Sequence, residues 1–436
     1  MKRKMKDLVS DNIAYRDNGM IESLDVYAPN RVNMAVLIIV LGMIAFGIVM
    51  LFSASMPRAF TSQGNSMYYV IQQGRFLILG IVAGAVITFL PIKKFDKWPF
   101  FTAVYLMAVA MAILTRVMGR VINGSRRWII IGGVSFQPSE FIKVAIVFFI
   151  AGYRSFIQRL RKKGKLQAKT PTGQRYLDAF LDVTLPGVLV LIVLLIVVLQ
   201  PHMSCFLILS AVSAICFLCS GIPLSSWLRG GGILLALCVV FGSFAFLSMS
   251  TEAKKKLESN FNHVVTRLNI FSTMKAEEEE EKKADEDEMY QSEQSIIAIG
   301  SGGLTGVGFG NSRQKYMYLP EAHNDYVYSI ICEELGFLGG LSVMLLFWAF
   351  AIAGLLVSWQ ADCLFTRVLT AGYTSLLTLQ AFLNIGVAIG AIPPTGITLP
   401  FFSYGGTANF FFMISVGMTL SVSRTGRKRK TVKLVV

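Results

Sequence analysis

Long apolar blocks separated by short polar ones dominate this chain of 436 residues. A helix crossing a bilayer needs about 20 predominantly apolar residues. By that rule the pattern predicts ten membrane spans, at roughly 33–54, 75–92, 98–117, 138–155, 182–199, 203–221, 231–249, 326–357, 367–390 and 400–422. The eighth is long enough to tilt or to project from the bilayer. The weakest division is at Gln200-Pro201-His202, where three residues separate two spans. The fold class expected is therefore an all-α polytopic membrane protein of ten transmembrane helices. Residues 1–32 form an N-terminal tail, 33–249 hold spans one to seven, and 250–325 form one large extracellular loop. Residues 326–422 hold spans eight to ten, and 423–436 form a basic C-terminal tail.

Charge tests this division, because short cytoplasmic loops are enriched in Lys and Arg. With both tails inside, most of the 41 basic residues fall on the inner side, notably before residue 33, at 93–97, at 154–175 and after residue 422. The outer loop 116–136 runs against the rule, with Arg116, Arg120, Arg126 and Arg127. It reads either as an external anion site or as a tolerated exception. The basic start has no apolar core or cleavage site before residue 33, which reads as a cytoplasmic tail rather than a cleaved signal.

Composition sharpens the class. The chain is 54% hydrophobic and 15% charged, with a mean hydropathy of +0.59, beyond what a soluble domain requires. A net charge of +15 does not point to nucleic acid here, since Lys and Arg sit in short runs beside apolar blocks, where anchoring and topology account for them. Cys216 and Cys219 form a CxxC mid-helix with no second pair or His beside them, so they read as small buried hydrophobes. The acidic run 276–288, AEEEEEKKADEDE, reads as a solvated insertion. The glycines from Gly300 to Gly310 open no βαβ unit and read as tight turns rather than a nucleotide loop.

Candidate chemistry gathers in three stretches. Arg313 to Gly340 packs Lys315, Glu321, His323, Asp325, Glu333 and Glu334 against the start of the eighth span. Glu321 and Asp325 are four apart, so a helical turn would put both carboxylates on one face. Asp325 is the expected catalytic residue, and Glu333 and Glu334 the expected helix-packing partners of Lys143 or of Arg on other spans. In the second stretch Pro138 suits a first helical turn and Glu140 its positive end, with Lys143 on the same face. This pair reads either as a structural ion pair or as a substrate contact. The third, Ala391 to Gly406, holds Pro and Gly but no ionisable group except Tyr404, and reads as a turned or re-entrant groove wall.

The text NGSRRWI followed by FQPSEFIK, then QSIIAIGSGGLTGVGFGNSRQKYMYLPEAHNDYVYSIICEELGFLGG, then NIGVAIGAIPPTGITLPFFSYGGTAN, resembles the SEDS family (shape, elongation, division and sporulation), which includes FtsW, RodA and SpoVE. The resemblance runs over residues 33–424 and implies a ten-helix peptidoglycan glycosyltransferase of the bacterial cytoplasmic membrane. Its tails would be cytoplasmic and its active site outside. It implies lipid II as substrate, and a class B penicillin-binding protein and other division or elongation machinery as partners. The PEAHxD aspartate carries over to Asp325, the arginine loop to Arg126 and Arg127, and PSEFxK to Ser139, Glu140 and Lys143. Glu321, His323 and Lys315 join the substrate-binding candidates. Where the family commonly has Gln-Pro-Asp-Leu-Gly, this chain has Gln200-Pro201-His202-Met203-Ser204. The implied chemistry is attack of a sugar hydroxyl on an anomeric carbon with a pyrophosphate leaving group, with Asp325 as base. Arg126, Arg127 and Lys143 would steady the pyrophosphate, with room for a divalent cation, magnesium or manganese. A lipid II flippase and an inactive scaffold for the transpeptidase are the alternative readings.

Overall fold

The computed structural model describes residues 24–29, 32–122, 125–131, 134–200, 203–248, 283–394, 396–425 and 427–432. The elements in chain order are β1 (Leu24–Pro29), α1 (Met34–Gln63), α2 (Tyr68–Phe89), α3 (Trp98–Met118), β2 (Arg120–Ile122), β3 (Ser125–Ile131), β4 (Val134–Phe136) and α4 (Pro138–Lys162). They continue with α5 (Pro171–Ala179), α6 (Leu185–Val198), α7 (Met203–Cys219), α8 (Leu224–Ser248), α9 (Lys283–Ser301), α10 (Val327–Trp359), α11 (Leu364–Ala388), α12 (Gly406–Thr425) and β5 (Arg427–Val432). Each predicted span overlaps a helix, the tenth only from Gly406 on. Among the described residues eight helices are long and apolar enough to cross a membrane, α5 and α6 counting as one, and α7 is shorter. The tails pair antiparallel, β1 with β5, so both lie at one end of the bundle.

Apolar side chains fill the interior and also cover much of the outside. α2 and α3 expose Ile78, Leu79, Val82, Leu106, Val117 and Met118, as helices facing hydrocarbon do. α4 and α11 stand at the centre and bury polar groups along with apolar ones. Backbones touch where glycine allows it. A Cβ on Gly417 would lie 2.5 Å from the Gly84 carbonyl oxygen, and one on Gly47 would lie 2.2 Å from that of Phe401. Such small-residue seams are how helices associate without a hydrophobic drive.

Boundaries differ from the apolar pattern where polar residues continue a helix. α1 runs on to Gln63 and is closed by Gly64 in the left-handed region, φ 66°. The fifth span begins eleven residues early, at Pro171, and passes through a π-helical turn, Phe180–Thr184. Asp182 in that turn is buried and meets Arg154, and lies 3.0 Å from Arg161. The predicted loop 116–136 begins within the last turn of α3, and its described residues beyond that form a small three-stranded antiparallel sheet, β2-β3-β4, so the fold is mostly rather than wholly helical. Pro201, His202 and the acidic run up to Lys282 lie outside the described residues.

α10 is broken. Gly336 takes φ 69° and ψ −166°, and the glycine segment 302–310 docks into the break. Val307 N–H donates to Glu333 O and Gly308 N–H to Glu334 O, both at 3.0 Å. Phe337 N–H donates to Gly303 O at 2.8 Å and Leu338 N–H to Leu304 O at 3.2 Å. The freed backbone groups are thus satisfied by protein, the condition for non-helical chain at membrane depth. Glycine is required for the approach, since a Cβ on Gly302 would sit 1.9 Å from the Cys332 carbonyl oxygen and one on Gly306 2.1 Å from that of Glu334. Gly306→Ala adds a left-handed cost to this overlap, and we expect it to destabilise the fold by about 3 kcal/mol. The melting temperature of purified protein in detergent checks this; an unchanged value would contradict the docking.

Candidate active site

Glu140 stands in the first turn of α4, after Pro138 and against the positive helix end. Lys143, three residues on, pairs with it at 2.8 Å, both side chains buried. The same ammonium donates to Gln380 Oε1 of α11 at 2.7 Å, and Gln380 Nε2 reaches Thr398 Oγ1 at 3.2 Å. One turn further along α11, Asn384 Nδ2 donates to the Asp325 carbonyl oxygen at 2.7 Å and to that of Ile397 at 2.6 Å. A polar seam therefore links the start of α4, α11, the loop before α12 and Asp325. Ser139, half-buried beside Glu140, has no hydrogen-bond partner for its Oγ among the described residues.

Asp325 is half-buried, one residue before Tyr326, the N-cap residue of α10. Residues 315–326 run as turns rather than helix. The backbone closes one turn from Asp325 N–H to Glu321 O at 3.2 Å, but Glu321 takes φ 54° and its carboxylate turns to Arg58 of α1, 3.1 Å away and half-exposed. Asn324 also donates to that carboxylate. His323 is 3% exposed, its ring 4.4 Å from that of Tyr69 and 6.0 Å from that of Tyr404. Its carbonyl accepts from Tyr404 N–H at 2.9 Å. Burial drives its pKa down to about 4; Glu321 opposes the shift and Arg58 adds to it, so the imidazole is neutral near pH 7.

Two expectations change. Lys315, expected to meet substrate, is wholly buried in an ion pair of 2.7 Å with Glu334, so it belongs to the scaffold. Glu334 correspondingly pairs with Lys315 and Ser53 rather than with Lys143. Glu333 binds the loop through Arg313 N–H at 2.8 Å. Such pairings join a loop to a broken helix, and no regular spacing announces them. Arg126 and Arg127 lie in β3, opposite Val121 and next to Trp128, the partner of Arg120, on the sheet that leads into Glu140; their side chains lie outside the described residues. Sequence reasoning passed over Gln380, Asn384, Tyr69 and Arg58. Gln380 and Asn384 had a readable signal: two amides four apart in an apolar helix, hence on one face.

The third stretch does fold inward. Leu399, Phe401, Phe402 and Ser403 are buried, with Phe401 N–H given to Asn409 Oδ1 at 2.9 Å and Leu399 N–H to Ser403 Oγ at 2.8 Å. Among the described residues no three His, Cys, Asp or Glu side chains gather so as to hold a metal ion.

The family model of the cell cycle proteins FtsW, RodA and SpoVE matches residues 34–428. The chain is 33% identical over 386 residues to the Probable peptidoglycan glycosyltransferase FtsW of Hahella chejuensis, covering 88% of this chain and 87% of that one. In structure it is similar to a chain from a peptidoglycan synthase complex, solved in work on the structural coordination of polymerization and crosslinking, with a TM-score of 0.62 at 22% identity over 90% of this chain and 97% of that one. It is also similar to the Rod shape determining protein RodA of Thermus thermophilus, with a TM-score of 0.58 at 23% identity over 89% and 95% of the two chains.

The buried imidazole makes one prediction. The folded protein holds His323 at about 4, below an unfolded value near 6.5. Below pH ~6.5 the unfolded chain takes up a proton that the folded chain refuses, so stability is full above ~6.5 and is lost as pH falls toward 4, by up to about 3 kcal/mol. His323→Gln should flatten that part of the melting temperature's fall between pH 7 and 4.5. An identical fall in variant and parent would contradict it.

Proposed function

Because the chain belongs to the FtsW/RodA/SpoVE family of cell cycle proteins, the SEDS family, we propose that this multi-pass membrane protein is a peptidoglycan glycosyltransferase that polymerises lipid II, with Asp325 as its general base. The observation that carries the reading is the polar seam: Asn384 holds Asp325 while Gln380, one turn away, holds the Lys143–Glu140 pair. The backbone of Asp325 and the Lys143 ammonium are thus both tied to amides one turn apart on α11.

In the reaction the 4-hydroxyl of one sugar attacks the anomeric carbon of a MurNAc. The new C–O bond forms as the bond to undecaprenyl pyrophosphate breaks; the hydroxyl proton passes to Asp325 and the electron pair leaves with the pyrophosphate. Lys143, drawn from Glu140 and Gln380, would steady the departing charge with Arg126 and Arg127, while Ser139 and the neutral His323 offer uncharged hydrogen-bonding groups nearby. A single displacement inverts the anomeric centre. Asp325, the one carboxylate proposed here to meet substrate, would hold a magnesium or manganese ion together with the substrate's phosphates, and the ion would add positive charge beside the leaving group.

The site lies at the opposite end of the bundle from the paired tails, the end where α4 and α10 begin. The other end carries the basic residues Lys93, Arg159 and Arg161, paired with Asp362, Asp96 and Asp178, which supports a cytoplasmic placement of both tails and an external site. A class B penicillin-binding protein fits as partner, because a glycan strand made outside must be crosslinked there.

Detergent-purified protein, with and without its cognate transpeptidase, should convert lipid II to polymer. Asp325→Ala should lower the rate by about 10²-fold or more, with folding checked by melting temperature. Equal polymer from Asp325→Ala would sink the assignment. Detergent leaves no compartment to flip across, so polymer formation also separates the enzyme from a flippase.

A further inference from the structure

We infer that Lys315, Glu334 and Ser53 form a positioning lock for Asp325, holding its loop from the broken end of α10; the inference rests on the reading of Asp325 as the base. Glu334 is the second-last residue before the break at Gly336. Both its oxygens accept from Ser53 Oγ of α1, at 2.6 and 2.7 Å. Lys315 Nζ donates to Glu334 Oε1 at 2.7 Å, to Ser53 Oγ at 3.0 Å and to Gly310 O at 2.7 Å. Lys315 and Glu334 are 0% exposed at the side chain, so no solvent competes for either. Glu333 adds a second set of ties, taking Ser312 Oγ at 2.5 Å and the Arg313 N–H at 2.8 Å.

The stretch from Lys315 to Asp325 needs such a hold. It has no helix or strand of its own, and two of its non-glycine residues, Met317 at φ 72° and Glu321 at φ 54°, sit in the left-handed region. A conformation of that kind persists only where the surroundings over-determine it, and it clusters at working sites. Met317 is 63% exposed, so its own side chain does little to fix it; the fixed point is Lys315, two residues before. Downstream, Leu319, Ala322 and Tyr326 pack in one buried cluster with Ala54, the neighbour of Ser53 on α1. α1 therefore grips the loop at Ser53 by a hydrogen bond from Lys315 and at Ala54 by packing, and Arg58 reaches Glu321 one turn on. Both side chains are 0% exposed, so any effect of Lys315 or Glu334 on the reaction is exerted through the loop that carries Asp325 rather than by contact with substrate.

The test uses full-length Lys315→Met, the neutral pair Lys315→Met/Glu334→Gln, Ser53→Ala and Asp325→Asn, each scored per folded molecule. Lys315→Met should cut kcat for lipid II polymerisation by about 10²-fold, as a displaced reacting group does, with KM within about twofold. Amide exchange of residues 319–326 should quicken about tenfold or more. The neutral pair removes the unpaired buried carboxylate, so it should regain melting temperature while kcat and exchange stay altered. Ser53→Ala should shift exchange in the same direction. If Lys315→Met does not fold, the neutral pair and Ser53→Ala decide. Unchanged exchange at 319–326, or a wild-type kcat in the neutral pair, would overturn the lock. Wild-type turnover by Asp325→Asn would instead overturn the reading of the base, and exchange would still judge the lock separately.

Discussion

A charge enclosed by apolar helices must find its partner inside the same bundle, because removing one member of a buried pair leaves the other uncompensated at a cost of about 3–5 kcal/mol. Three such pairs organise this protein. Glu140–Lys143 fixes the start of α4 against α11, Lys315–Glu334 fixes the loop before α10 against α1, and Arg154–Asp182 fixes the opposite end at the π-helical turn. Two of the three stand at the end that carries Asp325. That end is thus built by satisfying charge, and the apolar faces of α2 and α3 are turned outward.

The broken helix follows from the same constraint. A helix interrupted at Gly336 frees backbone groups that hydrocarbon would not accept, and the glycine segment 302–310 supplies their partners. Once that segment is docked, Glu333 and Glu334 face a loop instead of another helix, and the loop is long enough to deliver Asp325 beside Asn384. Gly336, the glycine segment, the buried carboxylates and the catalytic candidate are therefore one device, in which each part accounts for the next.

Much of this was legible in the sequence, for reasons that can be named. Long apolar blocks mark helices whether or not their partners are known, so each predicted span overlaps one. Glu140 and Lys143 are three apart on a single helix, so their pairing follows from helical geometry. What was not legible depends on contacts without a period. Lys315 and Glu334 meet because a loop folds back on a broken helix, and nothing in their spacing distinguishes Lys315 from a substrate contact. The polar residues after 54 in α1 and before 182 in α5 continue helices past the apolar pattern, which shifted those boundaries. The strands β2, β3 and β4 are short and a count of spans overlooks them, and the glycines of 302–310 do form turns but also serve a close backbone approach that their spacing does not announce.

In the proposed reaction the carboxylate at position 325 takes the proton from the attacking hydroxyl. The pH dependence of kcat/KM for lipid II polymerisation, measured on the wild type and on the residual activity of Asp325→Asn, tests it most directly. A general base acts only when deprotonated, so the wild-type rate should fall with unit slope on the acid side, and that limb should be missing from the variant. The same acid limb in both proteins would show that a group other than Asp325 is the base.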